Sequence, residues 1–97
     1  GRIIIRGPIE DDTEAFAETL LSRLEAARNV LGVEVRILGP APPPISKLRA
    51  KYRFHILLQS VDPNHLGETI RRATSGFKAP DKSEIQYVID IDPMDML

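Results

Sequence analysis

Apolar residues recur along this chain with two different periods, and the switches between them outline a fold. Arg2 to Arg6 carries the β-branched trio Ile3, Ile4 and Ile5, a short buried strand stopped by Gly7-Pro8. From there the spacing lengthens. Phe16, Leu20, Leu24, Ala27 and Leu31 recur every three or four residues, with Ala17 and Leu21 widening the stripe, which predicts a helix. Asp11 or Asp12 is expected to cap it, and Gly32 to stop it. Val33, Val35 and Ile37 then alternate with Glu34 and Arg36 as a second strand.

The segment Gly39-Pro40-Ala41-Pro42-Pro43-Pro44 lacks the N–H donors that helix or sheet interior needs and reads as a stiff, extended spacer. After it the alternation returns. Leu48, Ala50, Tyr52, Phe54, Ile56 and Leu58 occupy every second position up to Gln59, as a third strand with a bend near Ala50. Asp62-Pro63 is a strong helix start, Leu66, Ile70 and Ala73 give that helix its apolar stripe, and Gly76 ends it. Glu84 to Asp92 forms the last strand, with Ile85, Tyr87, Ile89 and Ile91 on one face.

The order strand, helix, strand, strand, helix, strand predicts an α+β fold. Its expected architecture is a split βαβ (βαββαβ) sandwich, an antiparallel four-stranded sheet with two helices on one face. The other sheet face is then open to solvent or covered by a neighbouring domain. Ninety-seven residues suffice for a single domain with one modest core.

Charge adds a second message to the third strand. Lys47, Arg49, Lys51, Arg53 and His55 fill the positions between its apolar ones. Successive side chains of a strand point to opposite faces, so one face becomes a ladder of cations. Such a ladder suits a polyanion, although wet sheet faces also carry Lys and Arg with no ligand. The formal net charge is −1, so no global field draws the chain to nucleic acid. The charge is nevertheless sorted. Glu10, Asp11, Asp12, Glu14 and Glu18 crowd the first helix, Asp81, Glu84, Asp90, Asp92 and Asp95 the tail, and no acid lies between Gly39 and Gln59.

Several classes are excluded or disfavoured. With no cysteine there is no disulfide, thiolate zinc site or cysteine nucleophile. The isolated glycines form no phosphate-binding loop, and no Ser/His/Asp set or Glu pair points to catalysis. Asp90 and Asp92 share one strand face, but without further oxygen ligands their expected use is cross-strand pairing with the basic face. His55 reads as a hydrogen-bonding surface residue, and Tyr52 and Phe54 as core rather than a base-stacking platform. No apolar run is long enough for a membrane span.

The run Gly39-Pro40-Ala41-Pro42-Pro43-Pro44-Ile45-Ser46-Lys47-Leu48-Arg49-Ala50-Lys51-Tyr52-Arg53-Phe54-His55-Ile56-Leu57-Leu58-Gln59, with Asp90-Ile91-Asp92-Pro93 near the end, carries a resemblance. It is similar to the C-terminal domain of primosomal protein N′, the family of bacterial replication-restart DNA helicases, over essentially the whole chain. The resemblance implies a domain cut from a larger cytoplasmic, ATP-driven 3′-to-5′ helicase that acts at stalled forks. ATP and zinc would belong only to the missing parent domains, and no cofactor is expected here. The implied partners are single-stranded or forked DNA, contacted without sequence preference, the parent helicase domains, and the single-stranded-DNA-binding protein, whose tail docks nearby in relatives. The Arg and Gln that hold that tail in relatives are unmatched at Asn64-His65-Leu66-Gly67-Glu68, so the docking role is not carried over.

The expected function is therefore non-catalytic DNA binding, with Lys47, Arg49, Lys51 and Arg53 contacting phosphates. The alternative is a protein-docking domain that packs on the helicase motor or binds a replication partner through its proline segment and basic sheet face. A small-molecule regulatory domain of ferredoxin-like type is a third reading.

Overall fold

The computed structural model describes residues 1–42, 47–48 and 50–91. Its elements follow in the order β1 (Arg2–Gly7), α1 (Glu10–Leu31), β2 (Arg36–Ala41), β3 (Lys47–Leu48), β4 (Lys51–Gln59), α2 (Pro63–Thr74) and β5 (Gln86–Asp90). The strands lie in the order β2-β4-β1-β5, and the two-residue β3 pairs with β4 outside that path. Every pairing is antiparallel. β4 sits between β1 and β2, and β1 between β4 and β5, so each helix crosses over a strand supplied by the other half. This is the expected α+β split βαβ arrangement.

One face of the sheet is closed by both helices. Ile3 and Ile5 of β1 and Phe54, Ile56 and Leu58 of β4 meet Phe16, Ala17, Leu20, Leu24 and Ala27 of α1 and Leu66, Ile70 and Ala73 of α2 in a single core. The inward residues sit at every second strand position and every third or fourth helix position, as the two periods require. Tyr52 packs at the edge of this core and Phe54 inside it, which removes both rings from any base-stacking role on the opposite face.

Local chemistry sets the helix ends. The Asp62 carboxylate caps α2, with Oδ1 accepting from the Asn64 N–H at 2.8 Å, and Pro63 opens the helix. Gly32 closes α1 at φ 65°, and its N–H donates to the Arg28 carbonyl. The start of α1 differs from the expected Asp11 or Asp12 cap. The N-cap is Ile9, which makes no side-chain cap bond, and Glu10, Asp11 and Asp12 fill the first turn, where their charge opposes the positive helix end. Arg23 ties the two helices together. Its Nε donates to the Ala73 carbonyl at 2.7 Å and its Nη2 to the Ser75 carbonyl at 2.9 Å, while the guanidinium lies 4.8 Å from the Phe77 ring centre.

Two strands depart from expectation. β2 begins at Arg36 and runs on through Pro40 to Ala41, with an irregular register between Leu38 and Ala41. Proline is tolerated there because β2 is an edge strand with one unpaired side. Pro43 and Pro44, the rest of the expected spacer, lie outside the described residues. The single strand expected from Lys47 to Gln59 is instead a hairpin. β3 turns back on β4 with Lys47 across from Tyr52 and Leu48 across from Lys51, and Ala50 in the turn has φ 61°.

A candidate nucleic-acid interface on the open sheet face

The helices leave the other face of the sheet uncovered among the described residues. Its composition follows from the register. Because Ile3, Ile5, Phe54, Ile56 and Leu58 point inward, Arg2, Ile4 and Arg6 of β1 and Lys51, Arg53, His55, Leu57 and Gln59 of β4 point outward. Gln86, Val88 and Asp90 of β5 and Arg36, Leu38 and Ala41 of β2 join them.

The open face can be described as rungs across the strands. Leu38, Leu57, Arg2 and Asp90 form one rung, and Ala41, His55, Ile4 and Val88 the next. Arg53, Arg6 and Gln86 form a third, so two arginines stand directly opposite each other on the central strands. Arg36 lies opposite Gln59 at one end of β4, and Lys51 precedes Arg53 at the other.

Five cations therefore share this face, with Asp90 the acid among its described strand residues. Asp90 Oδ2 lies 3.4 Å from Arg2 Nη2, and both groups are half exposed, so the pair contributes at most about 1 kcal/mol. It is the cross-strand pairing expected for Asp90; Asp92 lies outside the described residues. Arg6 Nη2 donates to the Gln86 amide oxygen at 3.3 Å, which leaves its charge uncompensated by that bond. The acids of α1, Glu10, Asp11, Asp12, Glu14 and Glu18, are exposed on the far side of the molecule. A net charge near zero thus conceals an uneven distribution, acidic over the first half of α1 and basic on the described open sheet face.

Apolar side chains lie among these cations. Leu38 is 39% exposed, Leu57 42% and Val88 48%, and Ile4 is half-buried between them. The described open face carries no Phe, Tyr or Trp ring. The aromatic cluster of Phe16, Phe77 and Tyr87 lies on the helix side, with the first two rings stacked at 4.7 Å. The face therefore offers point charges and aliphatic surface rather than stacking platforms.

His55 differs from the hydrogen-bonding surface residue expected. Its Nε2 is shielded from solvent and meets no hydrogen-bond partner among the described residues. Burial, then the neighbouring Arg2 and Arg53, hold its pKa below the usual 6.5, so the ring is neutral at pH 7.

Of the four sequence-predicted cations, Lys51 and Arg53 share the open face of β4. Lys47 is on the other arm of the hairpin, where the register sets it across from Tyr52 rather than in line with Lys51 and Arg53. Arg49 lies outside the described residues. Sequence reasoning missed Arg2, Arg6 and Arg36. The signal was present in β1, where Arg2, Ile4 and Arg6 alternate with the inward Ile3 and Ile5, but the isoleucine run obscured it. Only strand pairing sets Arg6 opposite Arg53 and brings Arg2 and Arg36 onto the same face, opposite Leu57 and Gln59.

The comparisons with known proteins follow the fold. A family model described as primosomal protein N C-terminal domain matches residues 1–94. The chain is 29% identical over 84 residues to the Replication restart protein PriA of Haemophilus influenzae, covering 84% of this chain and 11% of the relative. It is 37% identical over 82 residues to the protein of the same name from Rickettsia typhi, covering 80% of this chain and 12% of the relative. The chain thus spans about a ninth of the length of these relatives. Matched along nearly all of its length, the chain belongs to the primosomal protein N C-terminal domain family.

Proposed function

We propose that this chain is a non-catalytic, DNA-binding accessory domain of a replication-restart helicase, and that the open sheet face is its contact surface. The observation that carries this reading is the placement of Arg2, Arg6 and Arg53 on adjacent central strands of an uncovered face. Three guanidinium groups held by a rigid sheet meet a phosphate backbone without folding first. Such contacts position a strand and carry no base code, so binding is independent of sequence. Lys51 continues the surface toward the hairpin and adds a phosphate contact there; Lys47, which pairs with Tyr52, and Arg49 complete the proposed set of cations.

The family and the name of its relatives support a role in replication restart, and a cytoplasmic location is part of the proposal. In this reading ATP hydrolysis and zinc binding belong to other domains of the parent, and this domain holds single-stranded or forked DNA near the motor. Titration of single-stranded and forked oligonucleotides at several salt concentrations tests it. Wild type should bind unrelated sequences equally. Replacing Arg2, Arg6 and Arg53 together by Gln should lower the salt slope by about 0.7–0.9 for each phosphate that the three together neutralise. An unchanged slope in that variant rejects the reading.

A second reading rests on the aliphatic rungs. Leu57 on central β4 and Leu38 and Val88 on the edge strands are exposed on the face, and a protein surface of the parent or of a replication partner would cover them. Leu57→Ser separates the two. Loss of partner-protein binding with DNA affinity intact favours docking.

A further inference from the structure

Three features of the open face converge on one spot. The first is His55, whose Nε2 is withdrawn from solvent without a hydrogen-bond partner among the described residues, as is Nε of Arg2. Buried polar atoms are nearly always paired, so two unsatisfied ones in one neighbourhood require an explanation. The second is the pair Arg6 and Arg53, directly opposite each other on β1 and β4. Like charges at opposed sheet positions destabilise the pairing. The third is the local charge. Ile4 faces His55 across the strands, so Arg2 and Arg6 are both its diagonal neighbours, about 7–8 Å away, and Arg53 stands two residues before it.

We infer that His55, Arg2, Arg6 and Arg53 frame one discrete anion subsite, which takes a single phosphate-type oxyanion and binds a proton on His55 as it fills. The inference deepens the backbone-binding reading and rests on it for the identity of the anion as a phosphodiester. An oxyanion accepts from the guanidinium forks and, once side-chain movement uncovers the shielded Nε2, from His55, which satisfies that atom and screens Arg6 from Arg53. Arg2 must then swing from Asp90, which makes Asp90 a built-in competitor.

Proton uptake follows from the surroundings of the ring. Arg2, Ile4 and Arg6 face it from β1, Arg53 and Leu57 from β4, and Ala41 from β2. Asp90 and Gln86 of β5 reach the site through Arg2 and Arg6. No acid is a direct neighbour among these. In the free protein burial and then the guanidinium groups of Arg2 and Arg53 oppose charge on the ring. A bound anion reverses the balance by offsetting those groups and accepting the new N–H. Affinity therefore rises as pH falls through the interval between the free and occupied pKa of His55.

NMR titration of the His55 ring signals tests this, with His65 on α2, beside Asp62, as the internal reference. Spectra are recorded across pH for the free chain, with sulfate, whose charge is constant over the range, and with a short oligothymidylate. Both anions should raise the His55 pKa and leave the His65 ring signals where they stand in the free chain at the same pH. Oligothymidylate affinity should rise about three- to tenfold from about pH 8 to about pH 5.5. His55→Gln should abolish that rise, His65→Gln should preserve it, and Asp90→Asn should tighten binding. A His55 pKa that stays fixed while the oligonucleotide binds overturns the subsite and leaves the function standing. Movement with sulfate but no oligonucleotide binding upholds the subsite and sinks the DNA reading. No response to either anion overturns both.

Discussion

The two faces of this sheet are made by the same strands and obey different rules. On the helix side Ile3, Ile5, Phe54, Ile56 and Leu58 are each at most 4% exposed and packed among the two helices. On the other side their immediate neighbours, Arg2, Ile4, Arg6, Arg53, His55 and Leu57, mix charge with aliphatic surface. The first face is set by volume and water exclusion. The second holds like charges opposite each other and unsatisfied nitrogens, which a stability-driven design would avoid. We read this departure from packing logic, on one face of an otherwise regular sheet, as the mark of the proposed contact surface.

The sharpest way to break this contrast is to alter adjacent residues of β4. Ile56→Ala should cost about 2–5 kcal/mol of unfolding free energy, since its side chain is fully enclosed. Leu57→Ala should cost less than about 1 kcal/mol, because that side chain is already partly in water. Urea denaturation of the two variants checks both values, and equal losses would erase the distinction between the faces.

Gly7→Ala probes the junction of β1 with α1. A Cβ there would collide with Thr13 Oγ1 and come within 2.9 Å of Ile85 Cγ1. Thr13 cannot simply turn away, because its hydroxyl donates to the Ile9 carbonyl at 2.6 Å at the start of α1. The expected loss is about 1–3 kcal/mol, read from the same denaturation curves.

The smallest effect concerns pH. His55 has a folded pKa below 6.5, so the unfolded chain binds its proton first as pH falls. This contribution to stability is complete above the unfolded value and disappears as pH drops through the interval down to the folded pKa. His55→Gln should flatten the melting temperature of the ligand-free chain between about pH 7 and about pH 5 relative to wild type. An identical slope in the variant would show that the ring is not held neutral by its surroundings.

Much of the fold was legible because its signals are local. The Asp62-Pro63 start, the Gly32 stop and the two apolar periods each act within a few residues. The hairpin at Ala50 was hidden because alanine seldom adopts a left-handed turn conformation and gives no turn signal. Reversal of the chain between Leu48 and Lys51 also leaves the alternation of residue types in the sequence intact. Spacing alone therefore sets Lys47, Arg49, Lys51 and Arg53 as a ladder along one strand. The structure instead builds its basic cluster across strands, from Arg53 with Arg2 and Arg6, and such pairing cannot be read from the spacing of either segment alone. The Ile9 cap was invisible for a related reason: nothing in its side chain marks a helix start.

Backbone amide shifts of the chain during titration with a short oligothymidylate test the functional account most directly. The account predicts perturbations concentrated in Arg2–Gly7 of β1 and Lys51–Gln59 of β4, fading as salt is raised, with α1 and α2 largely unmoved. Perturbations confined to the helices, with Arg2, Arg6, Arg53 and His55 silent, would contradict it.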